Sequence, residues 1–214
     1  MTLISFMDEN KAVILKALAQ HVYLVFFSVL LGIIISIPAG IFLSRHKRIA
    51  SVVLAAVGIV QTIPGLVMLG IALIVLGTGT KTAMAVLAIY SVLPILRNTY
   101  TGITEIDSGI KEAGQGIGMT KGQMLFSVEL PLATPSIVGG IRISTVYIVS
   151  WATLAGLIGA GGLGDLIWTG LATYNTKYIL AGALPSAVLA FVFSGIIGLF
   201  ERLLTPRGLK GGKA

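Results

Sequence analysis

The sequence predicts an all-α integral membrane protein with five transmembrane helices. Three observations predict it. Hydrophobic residues make up 56% of the 214 residues and charged ones only 11%, far below the roughly 25% charge of a soluble domain. The apolar residues gather into runs long enough to cross a bilayer. The Lys and Arg residues fall mostly between those runs, where they set topology. The net charge of +7 comes without a basic patch interleaved with aromatics, which argues against a nucleic-acid partner. The absence of cysteine excludes a disulfide framework, a thiolate metal site and a cysteine nucleophile.

Residues 1–20 read as an external, amphipathic interfacial segment or a frayed tail. Residues 22–43 carry no charge, enough at ~1.5 Å per residue to cross a core of ~30 Å. Asp8 and Glu9 precede this run and a basic cluster follows it, the reverse of a cleaved signal peptide, so it reads as a retained helix. Residues 49–77 form a second, longer run broken at Pro64 and Gly65. The third, 82–96, is short, so its helix is expected to continue past Arg97. The fourth covers 137–158 with Arg142 near its start, and the fifth covers 178–200. With the N-terminus outside and the C-terminus inside, Arg45, Lys47, Arg48, Lys111 and Lys121 share the cytoplasmic face with the basic tail, residues 205–214. Only Lys11, Lys16, Lys81 and Lys177 then face outward, which is the positive-inside arrangement.

Between the third and fourth runs lies a polar, glycine-punctuated island, residues 104–134. Asp107 to Gly116 is helix-forming, and Gly118 sits where a glycine ends a helix. Thr120 and Gln123 have capping-box spacing and open a second helix, with Lys121 in its first turn. Met119, Met124, Leu125 and Phe126 lie among polar neighbours, and Pro131 is expected to stop that helix. Two short helices at an angle make a knob whose apolar side chains need a groove on another protein. The local pattern fits an ordinary solvated loop equally well.

The run resembles the cytoplasmic loop of binding-protein-dependent ABC importer permeases: Glu-Ala-Ala, three residues, Gly, nine residues, Ile-x-Leu-Pro. Here it is Glu112-Ala113-Gly114, Gly118 and Val128-Glu129-Leu130-Pro131. Gly114 and Val128 are mild departures. The resemblance implies a type I ABC importer transmembrane domain over residues 21–204, with this loop docked on an ATPase. Three further stretches resemble the permeases of osmoprotectant importers, which carry glycine betaine, carnitine or choline. They are Gln61-Thr62-Ile63-Pro64-Gly65, the stretch from Leu93 to Gly102, and the stretch from Gly159 to Asp165. Gly65 departs from an expected serine, and methionine-type importers look similar in the glycine stretch. The resemblance implies two ABC ATPase subunits that use ATP and Mg, a second permease copy or paralogue, and an extracellular substrate-binding protein. It places the chain among lipid in a bacterial cell membrane.

Pro64 frees a backbone carbonyl, and irregular backbone at membrane depth is tolerated inside protein or along a cavity. Gln61 and Thr62 beside it fit pathway-lining groups and fit, equally, a packing kink bonded to a neighbouring helix. Gly161, Gly162 and Asp165 belong to an external gate or re-entrant region, where Trp168 reads first as an interfacial anchor. Gly159 to Gly164 also spells a dinucleotide fingerprint, rejected because it follows a membrane run and lacks the later acid. Small residues recur every four positions at Gly32-Ser36-Gly40, at Ala152-Gly156-Ala160-Gly164 and at Ser186-Ala190-Ser194-Gly198, a helix-packing pattern.

No phosphate-binding loop occurs, so the chain is not expected to hydrolyse ATP or bind a cofactor. His21 and His46 lack partners at metal spacing and read as solvated or loop histidines. Arg142 is the one ionisable residue inside a run, which disfavours an ion-coupled carrier or ATP-independent channel. A permease for an amino acid such as methionine is the nearer alternative.

Overall fold

In the computed structural model, which describes residues 2–205, every regular element is helical. Thr2 caps helix α1 (Leu3–Glu9) by accepting the Ser5 N–H. After a turn at Asn10, α2 (Lys11–Ser44) runs unbroken for 34 residues. Within the segment expected over residues 1–20, residues 11–20 are thus helical and continuous with the first apolar run. Those residues contain no glycine or proline and are rich in strong helix formers, so nothing ends the helix before residue 21.

Helices α3 (Lys47–Thr62) and α4 (Gly65–Leu76) meet at 92° across Ile63 and Pro64. Pro64 cannot continue a helix, and the residue before a proline is driven to extended backbone. Ile63 adopts φ −69° and ψ 126°. Among the described residues four helices are long and apolar enough to cross a membrane, and the bent pair makes a fifth span if its arms count as one.

Helix α5 (Thr80–Thr104) continues past Arg97 as expected. It is followed by α6 (Ser108–Gly116) and α7 (Lys121–Met124). Pro131 does not stop the chain there. A π-helical turn, Leu125–Glu129, passes it directly into α8 (Leu130–Ala152), giving one run of 32 residues from Lys121 to Ala152. A proline in the first turn of a helix loses no bond that the helix needs, and Pro131 occupies that turn of α8. The fourth span thus begins before residue 137 and ends at Ala152; Leu154–Ile158 is a 3-10 helix. Helices α9 (Leu163–Ala172) and α10 (Thr176–Leu204) complete the bundle. Beyond Thr205, the expected basic tail lies outside the described residues.

Helix α5 packs against α2 on one side and α8 on the other. A Cβ on Gly32 would stand 1.9 Å from Ser91 Oγ, and one on Gly40 2.7 Å from Thr99 Cβ. One on Gly140 would meet Asn98 Cβ at 2.6 Å, and one on Gly102 would meet Ser136 Cβ at 2.7 Å. Serines bond across the same seams: Ser36 to the Val92 carbonyl, Ser91 to Ser28, Ser144 to Ser91 and Ser136 to Asn98. Between lipid-embedded helices, close approach and such bonds replace the hydrophobic drive of water. The Gly32-Ser36-Gly40 stripe therefore faces α5. The stripe expected from Ala152 to Gly164 is not a helical face, because the helix ends at Ala152. Gly156 instead meets the Gly164 backbone, where a Cβ would approach to 2.7 Å. In α10, Ser186 is buried and Ser194 receives Arg142 Nε at 2.8 Å.

His21 is buried rather than solvated, with Nε2 3.0 Å from the Val149 carbonyl. A carbonyl only accepts, so the proton sits on Nε2, and Nδ1 has no partner among the described residues. His46 is exposed and stacks on Phe42 at 4.4 Å.

Arg45, just past α2, forks onto the Glu129 carboxylate, with Nη1 2.8 Å from Oε1 and Nη2 on Oε2. Glu129 is 1% exposed and Arg45 44%. Removing Arg45 strands a buried charge. Arg45→Ala is expected to cost about 1–3 kcal/mol, the range for a buried acceptor left without its donor, read as a lower thermal midpoint in detergent. Adding Glu129→Gln is expected to recover more than half of that loss, and strict additivity of the two changes would show that they act independently. Gly32→Val is expected to cost a similar ~1–3 kcal/mol through overpacking against Ser91. Gly58→Ala, where a Cβ meets nothing within 4 Å, is expected to leave the midpoint level or slightly higher.

Candidate functional site

Three regions carry the chemistry that the sequence singles out. The polar island shares one end of the bundle with the α2–α3 connection: Arg45, His46, Lys111, Gln115, Met119 and Lys121 border one open cavity of about 580 Å³. Asp107 caps α6 by accepting the Gly109 N–H at 2.7 Å. At its other end Gly118 takes φ +82°, which a side chain would strain. The Gly118 N–H reaches the Gln115 carbonyl at 2.9 Å and the Met119 N–H the Gly114 carbonyl at 3.0 Å, a Schellman closure. Thr120 and Gln123 then form a complete capping box.

Glu112, Ala113, Thr120, Lys121, Gln123 and Phe126 are exposed, whereas Met119, Leu130 and Pro131 are half-buried. Met124 departs from expectation: it is buried against Gly114, where an alanine methyl would stand 2.3 Å from Met124 Cε. The glycine in place of the second alanine thus makes room for the thioether. The apolar surface on offer is Phe126, 71% exposed, with Ile117, 78% exposed. Ile117 had a signal in the sequence, since an isoleucine between two glycines belongs to no buried helical face. Glu129 had one too, as a lone acid at the mouth of an apolar helix.

The second region is the corner at Pro64. Gln61 Nε2 donates to the Tyr90 carbonyl at 2.7 Å, and Tyr90 Oη donates to the Ile63 carbonyl at 2.6 Å. Gln61, Tyr90, Tyr147, Ile148 and Trp151 line a cavity of about 230 Å³. Gln61 thus bonds a neighbouring helix, as the packing reading expects, and also lines a cavity. Thr62 does not join it. It is exposed and donates to the Ile59 carbonyl of its own helix at 2.7 Å. Pro64 is exposed at the corner itself. Gly65 lies under Trp151, where any Cβ would stand 2.1 Å from Cζ3, which leaves no room for the expected serine. The three aromatic residues escaped sequence reasoning; the available signal was Tyr147 and Trp151 one helical turn apart.

At the far end, Gly159, Gly161 and Gly162 take positive φ of 69°, 81° and 89°. The Gly162 N–H reaches Gln20 Oε1 at 3.2 Å, and the Gly79 N–H reaches the Ile158 carbonyl at 2.9 Å. A Cβ on Gly161 would stand 2.8 Å from Gln20 Oε1. The turn is thereby pinned to α2 and to the α4–α5 connection. Asp165 lies in the first turn of α9, where partial desolvation pushes its carboxyl above the usual carboxylate range. Trp168 is half-buried and donates its indole N–H to the Thr153 carbonyl at 3.0 Å. No strand precedes the glycine run, and no cluster of three or more metal-ligating side chains occurs among the described residues.

Residues 28–207 match the family described as binding-protein-dependent transport system inner membrane component. The chain is 45% identical to the glycine betaine/carnitine/choline transport system permease protein of Bacillus subtilis, with 99% of this chain and 97% of that protein covered. It is 42% identical to the carnitine transport permease protein of Listeria monocytogenes, over 97% and 95% of the two chains. Among solved structures, a chain of the inward-facing MetNI methionine ABC transporter superposes with a TM-score of 0.83 at 22% identity, covering 92% of this chain and 99% of that one. That likeness establishes the fold. The glycine-closed polar knob, the multi-pass apolar bundle and the matched family agree: the chain belongs to the binding-protein-dependent inner membrane components, the permease subunits of ABC importers, whose ATPase activity resides on partner subunits.

Proposed function

We propose that this permease carries a quaternary ammonium osmoprotectant (glycine betaine, carnitine or choline) into the cell, driven by ATP hydrolysed with Mg on two partner ABC ATPase subunits. The observation that carries this reading is identity of 39–45% over nearly the whole chain to permeases whose names specify those solutes. The methionine alternative rests on a 22% likeness that reaches only the fold. In the assembly, a second permease copy or paralogue completes the pathway and an external binding protein delivers the solute. The exposed apolar face of α10, with Phe191, Val188 and Leu203, suits lipid or that second copy. The charge asymmetry supports an outer N-terminus and an inner C-terminus.

The polar knob is the ATPase contact. Phe126 and Ile117 supply apolar anchors, and Glu112, Thr120, Lys121 and Gln123 a polar rim, the usual anatomy of a docking patch. The unbroken path from α7 into α8 makes the knob the end of a rod. ATPase closure that moves Phe126 therefore moves a membrane helix. Gly161, Gly162 and Asp165 form the outer gate, with Gln61 along the route.

Proteoliposomes holding the assembled transporter are expected to accumulate labelled choline or glycine betaine only with ATP and the binding protein. Uptake that persists without the ATPase subunits rejects the reading. Gly118→Trp is expected to lower uptake at least about tenfold while the protein stays membrane-inserted and the ATPases keep turning over; normal uptake removes the coupling role. Because the chain has no cysteine, Ser108→Cys and Asn175→Cys test topology cleanly. The two are expected to react with an impermeant maleimide from opposite sides of the membrane, and same-side reaction refutes the orientation.

A further inference from the structure

We propose that the cavity at the α3–α4 corner binds the cationic head of a quaternary ammonium solute within the permease itself, with Tyr90, Tyr147 and Trp151 as its aromatic wall. The inference rests on the cargo reading above and assigns that cargo a site on this chain. The cavity is about 230 Å³, smaller than a drug-sized pocket of roughly 300–1,000 Å³ and suited to a small head group.

Its chemistry selects that head group. None of the five lining residues carries a formal charge, so a cation gains its stabilisation from ring faces and fixed dipoles. A primary ammonium would bring three N–H donors, and among the lining side chains Gln61 Oε1, Tyr90 Oη and Tyr147 Oη are the oxygens that could accept them. Gln61 Nε2 is used on the Tyr90 carbonyl and Tyr90 Oη on the Ile63 carbonyl. A tetra-substituted ammonium brings no donors and leaves nothing unsatisfied. Gln61 Oε1 remains to turn its partial negative charge toward the cation.

Two of the three rings are set in advance. Tyr90 is anchored by its hydroxyl, and Trp151 lies against it with centroids 4.2 Å apart, over the bare Gly65 backbone. Tyr147 is 57% exposed at the mouth and is the ring free to close over a ligand. Pre-setting the other two reduces the ordering cost of binding. The site lies where a span is broken, and irregular backbone at membrane depth is tolerated where it lines such a cavity.

The chain has two tryptophans, so Trp168→Phe leaves Trp151 as sole reporter. Full-length permease in detergent, titrated with tetramethylammonium, is expected to show a saturable change in Trp151 fluorescence. Tyr147→Leu is expected to raise the half-saturating concentration roughly threefold to thirtyfold. Tyr147→Phe, which keeps the ring, is expected to stay within about twofold. The neutral isostere of choline, with carbon in place of nitrogen, is expected not to compete. A Tyr147→Leu titration identical to its parent, or equal competition by the neutral isostere, overturns the site. Choline uptake by the unsubstituted transporter together with that result leaves the cargo reading standing and removes only the site. Failure of the unsubstituted transporter to take up any quaternary ammonium compound removes both.

Discussion

The close approach of α2, α5 and α8 is the constraint on which the rest of the molecule depends. Lipid tails are as apolar as leucine, so burying leucine between helices gains little there, and packing must come from contact and hydrogen bonding. Gly32 and Gly40 let α2 settle onto Ser91 and Thr99, and Gly140 lets α8 settle onto Asn98. At those distances Ser36, Ser91 and Ser144 reach carbonyls on the neighbouring helix. The three helices then form a frame stiff enough to hold a corner at Pro64 and a pinned glycine turn. Both irregular segments find their backbone partners on that frame: the Ile63 carbonyl on Tyr90 of α5, and the Gly162 N–H on Gln20 of α2.

The sequence revealed this architecture unevenly, and the reasons are physical. The corner at Pro64, the Gly118 closure and the Thr120–Gln123 capping box were legible because each depends on local backbone chemistry: a missing N–H, a positive φ or a three-residue reach. Helix ends were less legible. Hydropathy marks where a chain is greasy, while a helix ends where its backbone bonds run out. Hence α2 begins at Lys11 and α8 at Leu130, well outside their apolar runs. Long-range pairings were not legible at all. Arg45 and Glu129 are 84 positions apart, and no periodicity links them. His21 misled for the same reason. Its partner, the Val149 carbonyl, lies on another helix 128 positions away, and a backbone carbonyl leaves no trace in composition.

Pro131 shows how one local rule yields to another. A proline ordinarily ends the helix before it, and that rule predicted a separate knob. At the first turn of a helix the same residue is favoured, and the π turn over Leu125–Glu129 puts Pro131 in that turn without breaking the chain's direction. π turns of this kind occur often at functional sites. Here it falls between the surface offered by Phe126 and the membrane helix, and it carries Glu129, which Arg45 ties back to the end of α2.

Helix α8 therefore unites the two candidate sites. From Lys121 to Trp151 the chain is continuously helical, roughly 45 Å at ~1.5 Å per residue. One end is the exposed knob, and near the other Tyr147 and Trp151 wall the cavity at the α3–α4 corner. A rod pinned at its base by Arg45 and along its length by Ser136, Gly140 and Ser144 cannot bend freely. A displacement at Phe126 is passed on as tilt or rotation, and rotation about the helix axis is what carries a ring toward or away from a cavity. Trp151 resists such motion because Gly65 and Tyr90 hold it, whereas Tyr147 is held by neither. The same helix thus supplies one ring packed against Gly65 and Tyr90 and one more exposed ring to the cavity proposed above as a binding site.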